Sequence, residues 1–267
     1  MLNKRLKSMI QRIFFLFFLT VILTACASLP EPEGFLYQEL QTKPFALASW
    51  ARIGQEGLPL RIYIEGDGFA WVNAYTPSTD PTPSELMVLD MAQRDPSANV
   101  VYLARPCQFI MPRSCRVYYW TNGRFDSNVI GAEAEAVRRL AAQYKAPKVE
   151  LIGYSGGATV ALLAALRLPE VSKVYTVAGV LDHKEWTAYH EDSSLNGSLN
   201  PADYKDRLAK IPQTHFVGGA DKNVPVSLTE SFVYSLNNDQ AELIIVPNAS
   251  HNTGWVGIWP RLIRPIN

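Results

Sequence analysis

Val149-Glu-Leu-Ile-Gly153-Tyr154-Ser155-Gly156-Gly157-Ala158 reads as a buried strand, a Gly-x-Ser-x-Gly turn and the opening of a helix. A sharp strand-to-helix turn puts its central serine in a strained backbone conformation, and flanking side chains would collide with neighbouring backbone. Gly153 and Gly157 answer that constraint. Gly157, Ala158 and Ala161 let the helix lie close to the sheet. The helix N-terminus aims N–H groups and a partial positive charge at the serine. The Gly156 N–H is thereby placed to bind an oxyanion.

Around this segment strands and helices alternate. Strands are expected at 99–104, 149–152, 172–178, 214–217 and 242–246, and helices at 128–144, 156–168 and 226–236. Short apolar strands alternating with helices imply a mostly parallel sheet covered on both faces. Upstream, residues 45–53 and 60–65 read as a β-hairpin across Gly57-Leu58-Pro59. Thr82 is expected to cap a helix running to about Arg94, with Pro83 at its first position and Glu85 completing a capping box. No period of 20–50 residues repeats, and no linker interrupts 45–267. One domain is expected there.

The motif and its setting resemble the α/β-hydrolase superfamily. The resemblance implies a triad in the order serine, acid, histidine. Both partners follow Ser155. His215-Phe-Val-Gly-Gly-Ala-Asp221 is an apolar strand running into a Gly-rich turn with an acid. Leu243-Ile-Ile-Val-Pro-Asn-Ala-Ser-His251 is a strand followed by a loop histidine. Ser155 would then be the nucleophile, His251 the general base and Asp221 its orienting partner. Asp182 is the alternative acid; His183, His190 and His215 are badly placed for the base. The second oxyanion donor would be the backbone N–H of Asp67, in Ile64-Glu-Gly-Asp-Gly-Phe69. There Glu65 stands where the superfamily carries histidine, and a carboxylate beside a developing oxyanion raises the barrier unless it points away. The implied fold is the α/β-hydrolase fold: a mostly parallel central sheet with helices on both faces, an N-terminal antiparallel hairpin and no large cap domain. The connection at 181–211 is long enough only for a loop or small lid. Arg105-Pro-Cys-Gln108, Tyr119-Trp-Thr-Asn-Gly-Arg-Phe125 and Gly197-Ser-Leu-Asn-Pro201 also resemble bacterial lipoproteins of that fold, a group with no secure substrate.

The N-terminus points the same way. Lys4, Arg5, Lys7 and Arg12 precede an apolar run at 13–24, followed by Leu23-Thr-Ala-Cys26. Basic, apolar and small-residue regions in that order describe a secretory signal. Leu-Thr-Ala-Cys resembles the lipobox of bacterial lipoproteins, which implies cleavage after 1–25 and lipidation of Cys26. Residues 26–44, with Pro30, Pro32 and Pro44, read as a tether. In a Gram-negative cell, Ala27 after the cysteine would favour the outer membrane facing the periplasm. The two remaining cysteines, Cys107 and Cys115, can close a short disulfide in an oxidising compartment.

The chain has 267 residues, 48% of them hydrophobic, with 25 basic and 25 acidic side chains. Removing the first 25 residues takes away four basics and no acids, leaving 21 against 25, or −4. A mildly acidic body disfavours nucleic acid as a partner. No phosphate-cradling, zinc-ligand or dinucleotide motif occurs, so neither a cofactor nor a metal is expected. Phe69, Trp71, Tyr118, Tyr119, Trp120, Tyr154, Trp186 and Trp255 gather in loops expected at the C-terminal edge of the sheet, where open α/β sheets bind ligands. Arg124 reads as an ion-pair partner. The expected activity is a serine hydrolase acting on a small-molecule acyl ester through an acyl-enzyme, lipid-anchored in the cell envelope. A peptidase or acyltransferase of the same fold, or a non-catalytic envelope scaffold, are the alternatives.

Overall fold

A computed structural model describes residues 29–266. The expected signal and the lipidation site at Cys26 lie outside the described residues. The body from Glu31 onward is built on one eight-stranded sheet. Its strands are β1 (Leu36–Gln41), β2 (Ala46–Ile53), β3 (Leu60–Ile64), β6 (Asn99–Leu103), β7 (Val149–Tyr154), β8 (Val171–Val177), β9 (Gln213–Gly218) and β10 (Ala241–Val246). A separate two-stranded flap pairs β4 (Trp71–Asn73) with β5 (Thr76–Pro77). The spatial order is β1-β2-β6-β3-β7-β8-β9-β10. Every neighbouring pair from β6 to β10 is parallel; β1–β2 and β2–β6 are antiparallel.

The central strands are apolar on both faces because helices cover both. Leu60, Ile62, Val101 and Leu103 point into a core with α2 (Ser127–Gln143) and α3 (Gly156–Ala165). Tyr63, Val100 and Tyr102 point into the opposite core, with α1 (Met87–Gln93), Trp255 and Trp259. All ten residues of α3 are buried, as its Gly- and Ala-rich sequence requires.

Three expectations are corrected. Residues 36–41 are an edge strand and not part of a tether: Leu36–Gln41 pairs in register with Ala51–Ala46. Only Leu40 of that strand is buried, so its composition reads as polar linker while its backbone ladder holds it in the sheet. Residues 46–53 and 60–64 do not form a hairpin with each other. The N-terminal hairpin is β1–β2, and β3 is inserted between β6 and β7. All five residues of β3 are buried, which a two-stranded hairpin cannot achieve. Thr82 does not cap α1. That helix starts at Met87 with no side-chain cap, and the Thr82 hydroxyl accepts the Phe109 N–H at 2.7 Å instead. The long-range loop contact outcompetes the local box.

Between β8 and β9 the chain forms only α4 (His183–Tyr189), a 3-10 turn (Pro201–Tyr204) and α5 (Lys205–Leu208). It makes a small lid and no cap domain. Cys107 and Cys115 are joined as a disulfide with Cα atoms 5.8 Å apart. No helix among the described residues is long and apolar enough to cross a membrane.

Candidate active site

Ser155 sits between β7 and α3 at φ 51°, ψ −119°. A β-carbon on Gly153 would lie 2.3 Å from the Gly157 carbonyl oxygen, and one on Gly157 2.4 Å from the Glu65 carbonyl oxygen. Real side chains never approach so closely, so both positions require glycine. The turn is fixed by the Ser155 N–H donating to the Val177 carbonyl and by the Val180 and Ala158 N–H groups donating to the Ser155 carbonyl. With its backbone so held, the side chain is raised above the C-terminal edge of the sheet.

Two loops at that edge bring it partners. His251, after β10, places Nε2 3.0 Å from Ser155 Oγ. Its Nδ1 lies 3.0 Å from Asp221 Oδ2, after β9. Asp221 Oδ1 accepts the Asn223 and Val224 N–H groups at 2.8 and 2.9 Å. The acid is therefore clamped by backbone on one oxygen and faces imidazole with the other. That arrangement favours the tautomer with the proton on Nδ1, leaving Nε2 to accept from Ser155. The His251 loop is braced from below by fully buried Trp255, whose indole N–H donates to the Ser250 carbonyl at 2.8 Å. Asn223 Nδ2 also reaches His251 Nε2 at 3.0 Å.

The opposite wall is the turn after β3. Gly68 has φ 62°, and a β-carbon there would meet the Pro81 carbonyl at 2.1 Å. Glu65 is buried, accepting the Gly66 N–H at 2.8 Å and the Tyr102 hydroxyl at 2.8 Å. Burial pushes its carboxyl up to about 7, against the lowering influence of those two donors and Arg105. The Asp67 carboxylate lies directly over Gly156, where a β-carbon would be 2.1 Å from its Oδ1. It does not point away from the site. Arg105 Nη1 binds Oδ1 at 3.2 Å and Arg124 Nη1 binds Oδ2 at 2.6 Å. Burial raises the Asp67 carboxyl, but the Arg124 and Arg105 guanidiniums outweigh it and leave its pKa below the ordinary value. Two cations against one anion keep this wall net positive, which suits a developing oxyanion. The Gly156 N–H is the first of its helix and has no intrahelical acceptor.

These walls enclose a cleft of ≈ 500 Å³ lined by Ser155, His251, Asp67 and Arg124, with Phe69, Trp71, Met87, Tyr154 and Trp186 as its apolar sides. Trp186 is tied across the mouth by its indole N–H, 2.9 Å from the Asn223 carbonyl. No group of histidine, cysteine and acidic side chains among the described residues could hold a metal ion.

No family model and no curated protein sequence matches the chain. Solved structures do. An esterase from Pyrococcus furiosus superposes with a TM-score of 0.60 at 17% identity, over 81% of this chain and 82% of that one. Est1E from Butyrivibrio proteoclasticus with ferulic acid bound gives 0.63 at 12% identity, over 84% and 97%. A serine hydrolase homologue from Coxiella burnetii gives 0.57 at 15%, over 88% and 96%. The chain has the α/β-hydrolase fold.

Against that fold the expected site residues fall as follows. Ser155, Asp221 and His251 are hydrogen-bonded in a row, and Gly156 and Asp67 flank the serine. Asp182, the alternative acid, caps α4 through the Lys184 and Glu185 N–H groups. His215 lies wholly in the core, where burial pushes its pKa down to about 3. Of the aromatic candidates, Trp120 is buried with its indole N–H on the Ser78 carbonyl, and Tyr119 packs edge-on against Phe45. Tyr118 covers Gly123 and Gly197. None of these three lines the cleft. Arg105 and Asn223 escaped the sequence reading as site residues. Position alone could have flagged them: Arg105 follows β6 at the sheet's C-terminal edge, and Asn223 lies two residues past the acid.

Proposed function

We propose that this protein is a serine hydrolase of carboxylic esters. Ser155 Oγ attacks the ester carbonyl while its proton passes to His251 Nε2. Asp221 stabilises the resulting imidazolium. The oxyanion is received by the Gly156 and Asp67 N–H groups. His251 then protonates the departing alcohol, and a water activated by the same imidazole hydrolyses the acyl-enzyme. What supports this reading is one observation: a serine at φ 51°, 3.0 Å from an imidazole that is itself 3.0 Å from a backbone-clamped carboxylate. The structural neighbours that are esterases fit an ester more readily than an amide.

A fluorophosphonate probe tests it. The expected result is an adduct on Ser155, located by mass spectrometry and absent from Ser155→Ala. A folded protein that takes up no probe would overturn the reading.

We also propose anchoring in the cell envelope through a lipid on Cys26. Its support is the basic segment, apolar run and Leu-Thr-Ala-Cys26 sequence. Expression in a bacterial host should give a mature chain beginning at an acylated Cys26. Cys26→Ser should remain unprocessed; an identical N-terminus in both would sink the proposal.

A further inference from the structure

The cleft at Ser155 does not end at its apolar walls. A second compartment of ≈ 460 Å³ adjoins it, and the two share Trp71, Trp186, Arg124 and Leu195. Those shared residues form a waist: one indole from the β4–β5 flap, one from the lid helix α4, and a guanidinium. Arg124 donates through Nε to the Thr121 carbonyl and through Nη1 to Asp67, which leaves Nη2 without a partner.

Beyond the waist the cleft is lined by exposed polar side chains. Asn122, Asp192, Ser193 and Ser194 line the far compartment. The side chains of Asp192, Ser193 and Ser194 make no hydrogen bond, and Asn122 uses only its Oδ1, accepting the Gly197 N–H at 2.7 Å. A carboxylate, an amide N–H₂ and two hydroxyls thus line a space reached between two indoles, all four on exposed residues and free to bond an incoming polar ligand. An alkyl chain seated there would lie against polar groups and return them no hydrogen bonds. A ring bearing several hydroxyls would satisfy them, while its C–H face packs on an indole.

We propose that the far compartment is a glycosyl subsite, so that the substrate class is an O-acylated carbohydrate. This deepens the ester-hydrolase reading and rests on it. The acyl group occupies the near compartment beside Ser155, against Phe69, Met87 and Tyr154; the sugar that carries it passes the Trp71–Trp186 waist. Hydrolysis breaks the acyl–oxygen bond. Water supplies hydroxyl to the released acid and a proton to the freed sugar hydroxyl.

The test compares two acetate esters with the same acyl group, methyl 6-O-acetyl-glucoside and hexyl acetate, on the full-length protein. The sugar ester is expected to have at least tenfold higher kcat/KM. Asp192→Ala/Ser194→Ala, whose replaced side chains hold nothing in place, should collapse that ratio towards one. Ser155→Ala, which cannot turn substrate over, should bind methyl 6-O-acetyl-glucoside in calorimetry and lose that binding when the double substitution is added. Hexyl acetate turned over as well as the sugar ester, with no calorimetric binding, would overturn the subsite and leave the hydrolase reading standing. Binding of the sugar ester to Ser155→Ala with no turnover of either ester by the wild type would support the subsite and overturn the hydrolase reading.

Discussion

Strand β3 carries a buried arginine–carboxylate cluster at each end, and the two are built to opposite rules. At the start of the strand Arg61 faces two acids. Its Nη1 meets Asp95 at 3.0 Å and Ser97 Oγ at 2.8 Å; Nε and Nη2 meet Glu150 at 3.0 and 2.6 Å; Nη2 also meets the Arg264 carbonyl at 2.9 Å. Every guanidinium nitrogen is used, Tyr63 closes on Asp95, and the Trp259 indole N–H closes on Tyr63 at 2.7 Å. Past the other end one acid, Asp67, faces two arginines. That cluster is left incomplete. Arg105 Nε has no partner, nor does either carboxylate oxygen of nearby Glu133. A saturated network resists change and serves stability. The other reaches the Ser155 cleft through Asp67 and Arg124, at the C-terminal edge of a parallel sheet where ligands enter.

The sharpest way to break this contrast is to remove one acid from each end. Asp95→Ala leaves the Arg61 charge buried with one partner fewer. It should cost about 3–5 kcal/mol in urea unfolding, while ester turnover per folded molecule stays near wild type. Asp67→Asn should act on both. Turnover should fall about 10²-fold, equivalent to roughly 2.7 kcal/mol of barrier, as the turn holding the proposed oxyanion donor loosens; the unfolding midpoint should fall as well, because Arg105 and Arg124 lose the carboxylate both are bonded to. Turnover unchanged in Asp67→Asn, or lost in Asp95→Ala, would show that the two clusters do not differ in role.

The disulfide sharpens the comparison because it braces only the cleft end. Gln108, next to Cys107, donates to the Gly66 carbonyl at 3.0 Å and accepts the Arg105 N–H at 2.9 Å. Cys107→Ser/Cys115→Ser should lose about 2.5 kcal/mol of stability from reopening the short loop. Its turnover should fall too, by a smaller factor than in Asp67→Asn. Unchanged turnover would separate the loop from the site.

The last contrast is in pH dependence. Burial raises Glu65 to about 7 and Glu133 to about 8, Arg105 opposing the shift at both. A carboxyl whose folded pKa is raised binds its proton more tightly in the folded state. Its contribution is full below the ordinary value near 4.5 and is lost as pH rises to about 7 or 8. Thermal midpoints should therefore decline over that window. Glu133→Gln should flatten the decline at its upper end, and a slope identical to wild type would show that Glu133 ionises as an exposed acid does.

Much of this was written locally. Gly153, Ser155 and Gly157 specify their turn because only glycine fits where backbone oxygens lie within 2.5 Å of a β-carbon. The alternation from residue 99 onward specifies a parallel sheet because buried strands are apolar on both faces. Asp221 and His251 stand out because each ends a short apolar run in a loop.

Other features depended on distant partners. Residues 36–41 look like linker until β2 offers its edge. β3 looks like half a hairpin until β6 and β7 close on either side. Thr82 looks like a helix cap until Phe109 takes its hydroxyl. The pairing of Asp67 with Arg105 and Arg124, 38 and 57 residues away, has no local signature at all. Local sequence determined the shape of each turn through sterics between near neighbours. The tertiary structure alone decided which charges meet, because electrostatic pairing acts across whatever the folded sheet brings together.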